Sequence, residues 1–333
     1  MAKVAVIGAG AVGLSTALNT QQILPHASVT IIADRFTRDT TSHGAGGLFL
    51  PSIDHLHGRD PDLVTQWSVD GFKFYSSLAS SYEAGDSGHM IMPGYVFSHK
   101  EIKNPLYKRL VYSFRELRQE ELKKLGVDYE YGYQVTTVIT DTSKFLPWLM
   151  RRFKDNGGTV ENRTVQSFQE FVGKYDIVMN CSGFRARELC NDKKVYPIKG
   201  HLLRIKAPWI KYWVYTEDGA YFVPSQDAVA IGGIRQKDNY SLTADPKERA
   251  GILERCYKLW PSLKGAPIIN EWVDLRPHRD PLRLETETMS FSNGSLKVVH
   301  NYGHGALGIT LCWGTGLSAA RMASAELMKN SKL

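Results

Sequence analysis

The residues best placed for chemistry stand at the start of the chain. Gly8, Gly10 and Gly13 form a G-x-G-x-x-G run directly after an apolar stretch at 4–7. Leu14, Ala17 and Leu18 follow at helical spacing. A second apolar run at 29–33 ends in Asp34, twenty-one residues beyond Gly13. Strand, glycine turn, helix, strand and acid, in that order, make a dinucleotide-binding unit. Gly8 permits the tight turn, Gly10 lets a pyrophosphate approach the backbone, and Gly13 lets the helix close on the sheet. The helix start offers free N–H groups and a positive dipole end to phosphate. Asp34 is suited to accept hydrogen bonds from a ribose. The glycines alone are a weak signal; their place between two strands, with the acid at that distance, is what carries the reading.

Two further loops have the same character. Thr40, Thr41 and Ser42 lead through His43 and Gly44 to Ala45, Gly46, Gly47 and Leu48, a run of hydroxyls and small residues. Such a run brings hydroxyls and backbone N–H groups against phosphate or a flavin edge. Near the C-terminus, Gly303, Gly305 and Gly308 precede a helix expected over 314–329, a second glycine-rich loop at a helix start.

The elements needed to position these loops can be read from pattern. Residues 143–153 suit a helix, in which Pro147 is tolerable only in the first turn, and glycines at 157 and 158 end it. Strands are expected at 159–165 and 175–183. Aromatic-rich residues 51–142 carry helical patterns at 61–82 and 110–125. From 195 to 280 the pattern is strand-like, with candidates at 202–205, 213–215, 220–223, 229–231 and 271–274. Asp218-Gly219 suits a hairpin turn. A strand is expected at 297–300. The fold class expected is α/β with two parts: a discontinuous Rossmann-like nucleotide domain and a largely antiparallel second domain.

Composition narrows the function classes. With 333 residues and 43% hydrophobic content, the chain can bury a large core and suggests about two domains. No run of 18 apolar residues suggests a membrane span, and the first residues belong to the nucleotide unit rather than to a signal peptide. The net charge of +7 is dispersed. Basic residues between 100 and 125 alternate with glutamates, as on an exposed helix face rather than a nucleic-acid groove. Four scattered cysteines read as reduced intracellular thiols, without metal-like spacing. The chain ends Ser331-Lys332-Leu333, a receptor-read peroxisomal address. The import receptor and the peroxisomal matrix are therefore an expected partner and location.

Several motifs together resemble one family. They are Val-Ile-Gly-Ala-Gly-Ala-Val-Gly-Leu-Ser at 6–15, Ala-Asp-Arg-Phe-Thr at 33–37 and Asn-Cys-Ser-Gly at 180–183. Further on stand Gly-Gly-Ile-Arg-Gln-Lys at 232–237, Leu-Arg-Pro-His-Arg at 275–279 and His-Asn-Tyr-Gly-His-Gly at 300–305. The chain resembles the peroxisomal D-amino-acid oxidases nearly end to end, and more closely their D-aspartate oxidase branch. The resemblance implies FAD as cofactor and oxidative deamination of acidic D-amino acids by O2. It assigns residues 1–50, 143–190 and 280–333 to the FAD domain and 51–142 and 191–279 to the substrate domain.

It also implies roles for individual residues. Gly8, Gly10, Gly13, Asp34 and Arg35 hold the adenosine and pyrophosphate. Thr40, Thr41, Ser42, Gly46, Gly47 and Leu48 line the diphosphate and flavin, and Val165 presents its backbone to the adenine. Gly305, Gly308, Ile309 and Thr310 meet the flavin ring, with Ala306 touching substrate through its backbone. Arg276 clamps the α-carboxylate with help from Tyr221, while Arg279 is structural. A guanidinium fork matches a carboxylate in two hydrogen bonds. A second acid on the substrate needs a second cation, and Arg235 is the candidate. Lys237 is either a distant helper or simply exposed, and His55 and His57 lie in a loop near the expected pocket.

Three departures bear on specificity. The 215–220 stretch is short and lacks an arginine found there in some relatives, His201 replaces a usual glutamine, and Ala306-Leu307 replaces other residues. A neutral D-amino-acid oxidase, a nicotinamide dehydrogenase and a flavin-binding protein without turnover remain the alternatives.

Overall fold

The computed structural model describes residues 1–52 and 58–330; His55, His57 and Ser331-Lys332-Leu333 lie outside the described residues. Strand Lys3–Ala9 lies between Ser28–Phe36 and Ile177–Asn180, parallel to both, and Thr159–Asn162 extends the sheet beyond Ser28–Phe36. Val4, Ala5 and Val6 are fully buried, because helices and loops cover both faces of a parallel sheet and select a continuous apolar run. Helix Ala11–Ile23 packs between helix Thr142–Asp155 and the long helix Gly308–Asn330. Its approach to the sheet is as close as the glycine spacing requires: a β-carbon on Gly13 would lie 1.9 Å from the Gly8 carbonyl oxygen.

The other half of the sheet is antiparallel except for the parallel pair His89–Ser98 and Trp213–Thr216. Trp213–Thr216 and Tyr221–Pro224 form the hairpin expected around Asp218-Gly219, with Tyr215 opposite Tyr221. Strand Ile268–Phe291 joins the halves. Its first part pairs with Tyr196–Ile205, its second with Gly294–His304, and the register shifts between His278 and Arg283. All the strands form one continuous sheet. The 24-residue strand replaces the short one expected at 271–274, since Pro277 and Pro281 break the alternation a strand shows in sequence.

Other elements differ too. The single helix expected at 110–125 is a strand, Ser113–Glu116, followed by a short helix, Gln119–Leu125. Helix Thr142–Asp155 is capped by Asp141, whose carboxylate accepts from the Ser143 N–H at 3.0 Å. Pro147 therefore lies in the second turn, not the first. Fully buried Phe145, Leu146 and Leu149 hold the helix despite the missing donor. Helix Pro61–Ala79, from the segment grouped with the substrate domain, packs on Gly308–Asn330 through buried Val64, Trp67 and Tyr75. No described helix is long and apolar enough to cross a membrane.

Candidate active site

A cavity of about 1230 Å³ runs along the junction of the two halves of the sheet. At one end lie Gly8, Gly10 and Gly13, with Asp34 and Arg35 at the end of the second strand and Val165 nearby. The hydroxyl loop Thr40, Thr41 and Ser42 and the residues Gly46, Gly47 and Leu48 line the same space. So do Gly305, Ala306, Gly308, Ile309 and Thr310, where helix Gly308–Asn330 begins. Arg276, Tyr221 and Arg235 stand on the opposite wall. Residues that sequence reading singles out over three hundred positions thus meet at one cavity. Lys237 is not on it; its ammonium sits 4.5 Å from the Tyr196 ring centroid.

The nucleotide end is held by specific contacts. The Ala11 N–H, at the free helix start, donates to the Ser42 hydroxyl at 3.0 Å, tying the hydroxyl loop to the glycine turn. Arg204 supports that loop from below, donating to the carbonyls of His43 and Ala45 at 3.2 and 3.4 Å. Asp34 is already engaged, accepting from Thr164 Oγ1 and Arg185 Nη1, each at 3.0 Å. Arg185 also donates to the Val165 carbonyl at 3.3 Å, so Asp34 and Val165 are fixed side by side.

At the other end the wall is built on strands. Gly200, in Tyr196–Ile205, leaves the space that the Arg276 guanidinium fills, and Gly232 does the same for the Tyr221 phenol. Arg276 donates to the Ile234 carbonyl at 3.3 Å. No described carboxylate lies within ion-pair distance of it. Burial pushes its guanidinium below the ordinary value, opposed by Tyr221 and reinforced by Arg235; arginine nonetheless stays cationic. Burial likewise pushes the Tyr221 phenol up, partly offset by Arg276, leaving it a neutral donor. A half-buried cation without a carboxylate is costly, and an anionic ligand would relieve that cost.

Arg235 reaches the Tyr215 hydroxyl at 3.4 Å. The Tyr215 and Tyr221 rings stack, with centroids 6.2 Å apart. Tyr215 is a wall residue that sequence reading missed: a two-residue turn at Asp218-Gly219 would set Thr216 opposite Tyr221, whereas the observed register sets Tyr215 there. Lys100 also lines the cavity and went unmarked among the dispersed basic residues. Arg279 stands off the cavity, its Nε 2.7 Å from Asp192.

The residues present fit FAD. The cavity exceeds the roughly 300–1,000 Å³ of most small-ligand pockets and joins a phosphate-binding helix start to a cation-lined wall, as a dinucleotide and a small acid require. Residues 3–322 match the family described as "DAO: FAD dependent oxidoreductase".

The chain belongs to this family of FAD-dependent oxidoreductases.

It is 40% identical over 327 residues to the D-aspartate oxidase of Homo sapiens, covering 97% of this chain and 95% of that one. It is 33% identical over 332 residues to a D-amino acid oxidase of Dugesia ryukyuensis, covering 98% of each. The glycine oxidase of Geobacillus kaustophilus shares the fold, with a TM-score of 0.79 at 17% identity over 98% of this chain and 95% of that one. These matches bear out FAD as the cofactor and the mixed α/β architecture of the family.

Proposed function

We propose that this protein oxidatively deaminates acidic D-amino acids, D-aspartate foremost. The products are the 2-oxo acid, ammonia and H2O2, with O2 and one water consumed. The observation that carries the reading is the pair of guanidinium groups, Arg276 and Arg235, on one wall of the FAD-sized cavity. The likeness to D-aspartate oxidase supports it.

When bound, FAD supplies a two-electron acceptor that O2 regenerates. The chain's own residues bind and orient. Arg276 takes the α-carboxylate through its two-pronged fork, and neutral Tyr221 donates to the same group. Arg235, steadied by Tyr215, takes the side-chain carboxylate. With the α-carboxylate and the side-chain carboxylate each fixed, the D and L forms exchange the places of the amine and the α-hydrogen, and the D form would be the one that turns its hydrogen toward the flavin. Arg276 is partly buried and Arg235 exposed, so the ion pair at Arg276 gains more from the drier surroundings.

The test is peroxide release across D-aspartate, D-glutamate and D-alanine, with Arg235→Ala alongside. The wild type should prefer the dicarboxylates, and the variant should lose them far more than D-alanine. A wild-type preference for D-alanine overturns the acidic reading.

The terminal tripeptide Ser331-Lys332-Leu333 supports a second proposal: delivery to the peroxisomal matrix by its import receptor, which suits a peroxide-forming enzyme. A fluorescent protein fused ahead of the full chain should enter peroxisomes and stay cytosolic when Leu333 is deleted. Cytosolic signal from both fusions defeats it.

A further inference from the structure

Side chains alternate faces along strand Tyr196–Ile205. Gly200 meets the Arg276 guanidinium on the cavity side. Lys199 and His201, 2% and 0% exposed, point the other way, toward helix Pro246–Leu259. Glu248, in that helix's first turn, receives both: Lys199 Nζ lies 3.0 Å from its Oε2, and His201 Nδ1 lies 3.1 Å from the same oxygen. Its other oxygen accepts from Gln236 Nε2 at 2.9 Å. Gln236 is the neighbour of Arg235.

The same helix makes a second hold on that loop. Two turns after Glu248, Arg255 Nη2 donates to the Gly233 carbonyl at 2.9 Å. From the cavity side Arg276 holds the Ile234 carbonyl at 3.3 Å. The loop is therefore gripped at Gly233, Ile234 and Gln236, and Arg235 is carried between the grips. Fully buried Ile252 and Cys256 anchor the helix in the core independently of Glu248.

Building on the acidic-substrate reading, we propose that Glu248 and Arg255 are positioning residues that set Arg235 for the second carboxylate. The warrant is geometric. Arg235 extends from a loop with wall contacts on one side, and a misplacement of about 1 Å in a binding group can cost on the order of a hundredfold. Glu248 is suited to the task. Burial pushes its carboxyl up, but hydrogen bonds from Lys199, His201 and Gln236 outweigh that and hold it below the ordinary value. It stays an ionised acceptor in a site 11% exposed. His201, one of the departures in sequence, belongs to this support: its Nε2 lies 2.8 Å from Glu271 Oε1.

The test uses holoenzyme carrying Gln236→Leu, which removes the loop's donor and leaves the Lys199–Glu248–His201 cluster intact, and, separately, Glu248→Gln and Arg255→Met. KM for D-aspartate should rise on the order of tenfold while kcat changes less and D-alanine kinetics stay within about twofold. In an Arg235→Ala background, Gln236→Leu should add nothing, because the group it positions is gone. Equal losses on both substrates, an unchanged D-aspartate KM, or additive effects in that background overturn the proposal. If Glu248→Gln fails to fold, Gln236→Leu decides. A wild type that prefers D-alanine is a separate outcome, which removes the acidic-substrate reading itself.

Discussion

Gly200 and Arg276 are packed against each other so closely that a β-carbon at 200 would lie 2.3 Å from the arginine Nη1. The guanidinium rests on bare backbone, and Asp274 rather than Arg276 is the strand partner of Gly200. Gly200→Ala should therefore displace the Arg276 guanidinium, the proposed α-carboxylate clamp, without unfolding a strand that any residue can adopt. We expect KM to rise for D-aspartate and D-alanine alike, with kcat/KM down on the order of a hundredfold. A loss confined to D-aspartate would place the α-carboxylate elsewhere.

Arg279, only three residues from Arg276, has a different task. Its Nε is 2.7 Å from Asp192 Oδ2, which also accepts from the Tyr302 hydroxyl at 2.8 Å. Burial pushes the Asp192 carboxyl up, but these two partners outweigh it and hold the group below its usual value. Asp192→Asn leaves a largely buried guanidinium poorly paired, and should cost about 3 kcal/mol of stability. Denaturant unfolding measures that, while KM for D-aspartate in the folded enzyme should not move. A shifted KM with unchanged stability would move Arg279 into the site.

The difference between these two arginines shows what sequence can and cannot reveal. The glycine turn and Asp34 are local, so residue type and spacing carry them, whereas the Arg-Pro-x-Arg motif gained its meaning from the family resemblance. The hairpin at Asp218-Gly219 is local too, but a two-residue turn there would set Thr216 opposite Tyr221, and only the fold shows that Tyr215 takes that place. Other features depend on distant partners. His201 stands 47 residues from Glu248 and 70 from Glu271, so only the fold joins them. Strand Ile268–Phe291 was hidden by two prolines that its neighbours accommodate. Pro147 shows packing overriding a local rule: three buried apolar side chains hold the helix where the missing N–H argues against it.

Gly13 tests the cofactor site without reference to turnover. A methyl there would sit 1.9 Å from the Gly8 carbonyl oxygen, a backbone atom that cannot swing aside. Helix and glycine turn must separate, carrying the Ala11 N–H away from Ser42. Overpacking of this kind costs about 1–3 kcal/mol, and if that cost falls on the bound form, FAD affinity drops roughly tenfold to a hundredfold. Fluorescence titration of Gly13→Ala with FAD reads this directly, with circular dichroism as the check on fold. Wild-type affinity would remove the glycine turn from the cofactor site.

Acid sensitivity should come first from buried histidines. His304 is 3% exposed, 3.0 Å from Thr315 Oγ1, and burial pushes it down to about 4. His89 is 1% exposed, packed between the Tyr75 and Phe145 rings, and burial pushes it down to about 3. Both are neutral in the folded chain, whereas an unfolded histidine takes its proton near pH 6.5. Between those values the unfolded state binds more protons, so stability rises with pH across the window. The contribution is fully present above about pH 6.5 and is lost as pH falls toward the folded values. Each histidine should remove roughly 2.5 kcal/mol by about pH 4.5. Carboxylates held low, such as Asp192 and Glu248, act only below their ordinary range and add little above it. Melting of the holoenzyme with saturating FAD at fixed ionic strength should show Tm falling between about pH 6.5 and 4.5. His89→Phe, which keeps an aromatic ring but cannot take a proton, should flatten that slope. A variant slope equal to the wild type's would show that His89 is not among the groups that sense acid.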